Sequence, residues 1–263
     1  MTLVVSLRVP DGVVIATDSL MTTKGTINIA AEIHAKCGKC GTELTLPELK
    51  LPPVQVPAST SAFGQKLFRF QDNFGIGGWG DAFVNGQTIR SQMEGLEHSL
   101  EQQVQAVDQL AKLIEQHFIG ELEQQIGSWD KVPDDYFPFG FQVVGFEPAK
   151  PTEGKTWSIA IGKKPKVKCF TGFGCTVGGA KQVVLKLWKK DDKAPFPTPH
   201  YGNFSLQDAI DYAEFLIRTT ADYQRFANMI PTVGGTADIA LITHYAGFKW
   251  IKCKPLITLL ETT

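Results

Sequence analysis

The sequence has no long apolar run, and this absence excludes a helical membrane-spanning protein. A helix that crosses a bilayer needs about 20 predominantly apolar residues, and no stretch of the 263 residues approaches this. The N-terminus also lacks a basic region followed by an apolar one, so no signal peptide is indicated. We therefore expect a cytoplasmic protein that does not interact with a membrane.

Neither sign of charge dominates the composition. The chain has 26 Lys and Arg against 27 Asp and Glu, which gives a formal net charge of -1. Proteins that bind nucleic acid or anionic lipid surfaces usually show a basic excess, so neither partner is expected. With 43% hydrophobic and 20% charged residues, the composition is that of a globular protein with a sizeable core.

Cysteine is scarce, and its spacing does not suggest disulfides. An odd number of scattered thiols favours a reducing compartment. The five cysteines are Cys37, Cys40, Cys169, Cys175 and Cys253.

The periodic patterns along the chain predict strands, two helices, strands, two helices and strands, in that order. Residues 3–9 and 13–17 are apolar runs joined by Pro10-Asp11-Gly12, which is turn chemistry and predicts an antiparallel hairpin. Segregated runs of strands and helices favour an α+β domain over a doubly wound sheet. We expect a four-layer αββα sandwich, in which two antiparallel sheets lie face to face with helices outside. Further strands are predicted at 139–146, 157–162, 167–171, 236–243 and 248–253, and helices at 89–100, 104–122, 178–190 and from Ser205.

Residues 25–65 interrupt this order, and they are predicted to be an insertion or long loop within a single domain spanning 1–263. They are rich in proline and small residues. The Cys37-x-x-Cys40 spacing is that of half a zinc site, with His34 as a nearby third ligand. A structural zinc ion, a redox pair and two free thiols all stay open, and no cofactor is expected elsewhere.

Thr2 directly follows the initiator methionine, which is normally removed before a small residue. The exposed threonine would then carry a hydroxyl nucleophile and its own α-amine. The amine has a pKa of about 7.7–8.0, so near neutrality it can accept the hydroxyl proton. Many proteins have threonine at this position without any catalytic role, so the neighbouring motifs decide the matter.

Thr2 begins a strand, a glycine turn and a second strand that ends in Ala16-Thr17-Asp18-Ser19. Residues 66–82 begin with a lysine and contain a glycine turn followed by an aspartate, and 233–243 begin with a Gly-Gly strand entry. These motifs, in this order, resemble those of proteasome β subunits and their bacterial relatives of the HslV and Anbu type. The resemblance covers most of the chain except 25–65. It implies an N-terminal nucleophile (Ntn) hydrolase.

The resemblance also implies residue roles. Thr2 would be the nucleophile, Lys66 would lower the pKa of its hydroxyl, and Asp18 would hold Lys66 charged and oriented. Gly78 would supply an oxyanion-hole amide, with Gly77 as the alternative register. Lys24, Lys36 and Lys50 are substitutes for Lys66, and Met21 and Ile76 would line the specificity pocket or be ordinary core.

The sequence departs from the family pattern around the threonine amine. Gly179 stands where the family has a serine, and Ile230 and Val233 stand where many β subunits have an aspartate and a serine. Leu20 replaces a residue that is commonly polar or basic. Thr176 or Thr232 could supply a replacement hydroxyl.

Three functions follow from the resemblance. The first is a threonine peptidase in a homo-oligomeric ring or double ring that acts on peptides or unfolded proteins, with an ATPase as an optional partner. The second is a catalytically silent ring scaffold. The third is an amidohydrolase or transpeptidase that acts on a small or specific substrate.

Overall fold

A computed structural model describes most of the chain. The described residues are 2–27, 30–31, 34–36, 38–41, 43–45, 49–50, 54–189, 199–227 and 229–254.

The chain divides into two compact units, Met1–Met21 with Ser61–Thr263, and Thr22–Thr60. The elements in chain order are β1 (Leu3–Val9), β2 (Gly12–Thr17), β3 (Met21–Ile27), β4 (Ala30–Ala31), β5 (His34–Lys36), β6 (Glu43–Thr45), β7 (Leu49–Lys50), β8 (Val54–Ser61), β9 (Leu67–Phe70), β10 (Phe74–Gly80), β11 (Phe83–Val84), β12 (Gln87–Thr88), α1 (Ile89–Ser99), α2 (Val107–Ile126), β13 (Phe139–Glu147), β14 (Lys150–Ile161), β15 (Lys166–Phe170), β16 (Gly174–Gly179), α3 (Gln182–Leu187), α4 (Leu206–Phe226), β17 (Asp238–Thr243) and β18 (Gly247–Lys252), with 3₁₀ turns at Trp129–Lys131 and Tyr201–Asn203.

Two five-stranded antiparallel sheets form the larger unit. The first has the strand order β16-β1-β2-β17-β18, and the second has the order β15-β14-β13-β10-β9. The predicted hairpin of β1 and β2 lies at the centre of the first sheet. This places Thr2 at the start of a central strand.

Strand alternation sorts the side chains of the first sheet into two cores. Leu3, Val5 and Leu7 of β1 pack in one cluster with residues of α4, including Leu216. Val4 instead joins a cluster that contains residues of both sheets, such as Ile15 and Val144. The first sheet is therefore covered by helix on one face and by the second sheet on the other.

The outer face of the second sheet is covered by α1 and α2. Leu110, Ile114 and Phe118 are spaced along one face of α2, and they pack with Phe139 and Phe141 of β13. Together the layers are helix, sheet, sheet and helix. The predicted α+β sandwich is confirmed.

The prediction of a helix over 178–190 is wrong at both ends. Gly178 pairs with Val4 and Gly179 pairs with Leu3, so both glycines belong to β16. Gly179 also has a φ of +75°, which a helix does not allow. The helix α3 is accordingly short, from Gln182 to Leu187.

The smaller unit contains short paired strands rather than a plain loop. β4 pairs with β7 and β5 pairs with β6, both antiparallel, and β3 pairs with β8 at its margins. Its bounds, Thr22–Thr60, lie close to those of the 25–65 segment.

Candidate active site

Thr2 is held by its backbone at the beginning of β1. Its carbonyl accepts a hydrogen bond from the amide of Ala180 at 2.8 Å, and the residue is only 3% exposed. A Cβ atom built on Gly179 would lie 1.9 Å from the Thr2 carbonyl oxygen. The contact therefore requires glycine at 179, and the family serine has no room there.

The Asp18 carboxylate joins the start of β1 to a lysine. Its Oδ1 accepts from the Leu3 amide at 3.0 Å, and its Oδ2 accepts from the amides of Leu20 and Gly234, each at 3.1 Å. The same Oδ2 lies 3.1 Å from the Lys66 Nζ. Because Asp18 is fully buried, one carboxylate fixes the lysine relative to the residue that follows Thr2.

Burial moves the pKa values of this ion pair in opposite directions. Burial raises the pKa of Asp18 above its usual value, although the Lys66 charge and the amides of Leu3 and Gly234 oppose that change. Burial lowers the pKa of Lys66, against the opposing attraction of Asp18. Each charge is stabilised by the other, so removing one partner would leave an uncompensated buried charge.

Lys66 immediately precedes β9 and has a second acceptor, the carbonyl of Leu20. Its side chain is 12% exposed, so it lies at the edge of the core and not on open surface. Lys24, Lys36 and Lys50, the substitutes suggested by the sequence, fall in the smaller unit, and their side chains lie outside the described residues. The catalytic role of Lys66 stays a prediction.

The backbone amide of Gly78 is already engaged. It donates to the carbonyl of Lys66 at 2.8 Å, so binding an oxyanion would require this bond to open. Gly77 faces the other sheet, where a Cβ would lie 2.5 Å from Val4 Cγ1. Glycine at 77 is explained by this close approach of the sheets, and the oxyanion donor stays a prediction.

Of the two predicted pocket residues, Ile76 is core in this structure. It is fully buried and packs with Phe68 and Phe141 in the cluster beneath α1 and α2. Alternation along β10 accounts for this, since the neighbouring Gly75 and Gly77 face the first sheet. Met21 is half-buried at the start of β3, and its pocket role stays a prediction.

The two candidate replacement hydroxyls have other partners. Thr176 Oγ1 accepts from Arg8 Nη1 at 2.8 Å. Thr232 Oγ1 accepts from Gln224 Nε2 at 3.2 Å. Val233 packs in the core between the first sheet and α4. The role of either hydroxyl at the Thr2 amine stays a prediction.

A second buried ion pair lies beside the first, and sequence reasoning missed it. Lys254 Nζ lies 2.9 Å from Asp238 Oδ2, and the two side chains are 7% and 1% exposed. Asp238 pairs in the sheet with Thr17, the residue before Asp18. Asp238 begins β17, and Lys254 follows β18. Because only the register between these two strands brings the residues together, nothing in the sequence near either one marks the other as its partner.

Of the predicted zinc ligands, Cys37 and the side chain of His34 lie outside the described residues. Cys40 is exposed. Within the part of the chain that the structure describes, no group of three or more His, Cys, Asp or Glu residues could hold a metal ion.

The described helices include none that is long and apolar enough to cross a membrane.

No protein-family model matches the chain, and no curated protein matches it. Among solved structures, the chain is similar to a Gly-1 mutant of Anbu from Hyphomicrobium sp. strain MC1. The TM-score is 0.57 with 11% sequence identity, over 97% of this chain and 89% of that one. At this identity the likeness shows the fold alone, which is that of a proteasome-like subunit.

Proposed function

We propose that this protein is a threonine-type peptidase that uses Thr2, after removal of Met1, as its nucleophile. The observation that best supports this is the Asp18 carboxylate, which binds both the Leu3 amide and the Lys66 ammonium. The Asp18 and Lys66 pair is thus fixed to the residue that follows Thr2. Together with the proteasome-like fold, this favours N-terminal nucleophile chemistry.

In the proposed reaction the α-amine of Thr2 accepts the proton of the Thr2 hydroxyl. The oxygen then attacks the carbonyl carbon of the scissile peptide bond. As the C–N bond breaks, the proton passes to the leaving amine and an acyl ester forms on Thr2; water then hydrolyses the ester. The Lys66 ammonium stabilises negative charge that develops on the threonine oxygen, and Asp18 keeps Lys66 protonated.

The test is the intact mass of untagged protein, followed by reaction with a peptide epoxyketone or with an acylating probe. We expect the mass to lack one methionine and the probe to add to Thr2, because the mechanism needs a free α-amine. Peptide mapping locates the adduct. A retained methionine, or a processed protein that does not react with any such probe, would exclude the peptidase proposal for this form.

We further propose a homo-oligomeric ring, single or double, that encloses the active sites, with peptides or unfolded proteins as substrates. An ATPase would be an additional partner if folded proteins are degraded. Light scattering at micromolar concentration should give a mass several times the 28.9 kDa of one chain. A monodisperse monomer under these conditions would contradict the ring.

Two observations favour a second candidate, a catalytically silent scaffold with the same architecture. The Gly78 amide is occupied by the Lys66 carbonyl, and Gly179 leaves no room for the family serine. An amidohydrolase or transpeptidase that acts on a small substrate would use the same acyl chemistry, and turnover of small amides but not peptides would identify it. A structural zinc ion at Cys37 and Cys40 also stays a prediction, and the proposed chemistry does not use it.

A further inference from the structure

Lys254 contacts the segment that carries Lys66. Its Nζ donates to the Gly64 carbonyl at 2.8 Å, two residues before Lys66. The Gly64 amide donates to the Ser19 carbonyl at 2.9 Å. The peptide groups that lead into Lys66 are therefore tied on one side to the chain after Asp18 and on the other to Lys254.

Asp238 fixes Lys254 in turn through two contacts. Its Oδ2 binds the Lys254 Nζ at 2.9 Å, and its Oδ1 accepts from the Lys254 amide at 3.1 Å. Because Asp238 begins β17, it anchors both the backbone amide and the ammonium group of Lys254 to the first sheet. Because the pair is nearly completely buried, it is little affected by salt and holds a defined geometry.

We propose that Lys254, held by Asp238, is a positioning residue that sets the place and the charge of Lys66 in the acylation reaction. This inference rests on the proposed peptidase function. Lys254 acts through the Gly64 carbonyl and through its charge, and does not itself contact the Thr2 hydroxyl in the proposed reaction.

The charged surroundings of Lys66 support the electrostatic part of the inference. Burial is the largest cause of the lowered pKa of Lys66, and its direct partner Asp18 opposes it. Lys254 lowers this pKa further, and Asp238 raises it. The Cys253 thiol also lies beside the second pair, and its pKa is raised chiefly by burial. Loss of the Lys254 charge, with Asp238 left in place, should therefore raise the pKa of Lys66.

The sign of the pH effect follows from the proposed reaction, which needs Lys66 protonated. Acylation is then lost as the pH rises through the pKa of Lys66. In Lys254→Met this alkaline limb should move to higher pH. The rate at the plateau should fall between about ten- and a hundredfold, because Lys66 is less well placed.

The experiment measures epoxyketone labelling against pH in the full-length protein, together with the Lys66 titration followed by NMR of the lysine ammonium groups. Lys254→Arg keeps the positive charge and N–H donors at this position. It should label at the parent rate and show the parent's alkaline limb in the pH profile. Lys252→Met is the matched control, because Lys252 forms an exposed ion pair with Glu214 and should change neither. A folded Lys254→Met protein with unchanged labelling and an unchanged Lys66 titration would overturn the inference.

Two further measurements distinguish a positioning role of Lys254 from a loss of stability and from a failure of the proposed peptidase function. If Lys254→Met fails to fold, the double variant Asp238→Asn/Lys254→Met leaves neither charge unpaired and should still label slowly; labelling at the parent rate would overturn the inference. If the parent protein does not label at all, the peptidase proposal fails. The NMR titration then decides by itself whether Lys254 controls the charge of Lys66.

Discussion

Replacement of Thr2 by alanine should reduce both labelling by an epoxyketone and acylation by a peptide substrate about a thousandfold or more. The hydroxyl oxygen is the atom that forms the acyl bond in the proposed reaction, and no other nucleophile is expected to replace it. Alanine is small, so removal of Met1 should continue and the α-amine should stay free. Thr2 is almost fully buried, but its backbone contact with Ala180 does not depend on the side chain.

Thr2→Ser is the matched control, because it keeps the hydroxyl and the small size. Thr2→Ser should retain measurable labelling by the epoxyketone. Thr2→Ala should have the same elution volume in size-exclusion chromatography and the same melting temperature as the parent protein. The intact mass of each variant must show the same processing. If a contaminant-free Thr2→Ala protein cleaves peptides at the parent rate, Thr2 is not the nucleophile and the proposed mechanism is wrong.

The parts of the fold that local pattern dictates were predictable from the sequence. The hairpin of β1 and β2 follows from two apolar runs around Pro10-Asp11-Gly12. The start of α4 follows from its capping box, in which Ser205 and Asp208 satisfy each other's backbone amides. Local chemistry fixes such features before any tertiary contact forms.

Features that depend on the register between strands could not be read in the same way. The pair of Asp238 and Lys254 forms across β17 and β18, and nothing in either segment marks the partner. Asp18 and Lys66 are 48 residues apart, and only the family resemblance suggested their contact. The face of the sheet on which Ile76 lies could not be predicted either. Side chains alternate between the two faces of β10, and the glycines of this strand carry no side chain that would show which face is buried.

The beginning of α3 was mispredicted for a related reason. The sequence around Gly178 and Gly179 suggests a helix start when it is read alone. In the structure, both glycines extend β16, because β1 offers a complete edge for pairing. Tertiary pairing overrides a local preference whose energetic differences are below about 1 kcal/mol per residue.

Introducing the family serine by Gly179→Ser should destabilise the protein strongly and disturb Thr2. Two costs combine at this position. A side chain at a φ of +75° costs roughly 1–2 kcal/mol, and overpacking against a fixed neighbour costs about 1–3 kcal/mol. The neighbour here is the Thr2 carbonyl oxygen, 1.9 Å from the added Cβ, and a backbone atom cannot rotate away as a side chain could.

Gly172→Ser is the control for conformation alone. Gly172 has a similar φ of +68°, and a Cβ built there meets nothing within 4 Å, so only the first cost applies. Urea unfolding should show a loss of about 1–2 kcal/mol for Gly172→Ser and of roughly 2–5 kcal/mol for Gly179→Ser. Equal losses would mean that the contact with Thr2 is not rigid. In that case glycine at 179 would have to be explained by something other than its close packing on Thr2.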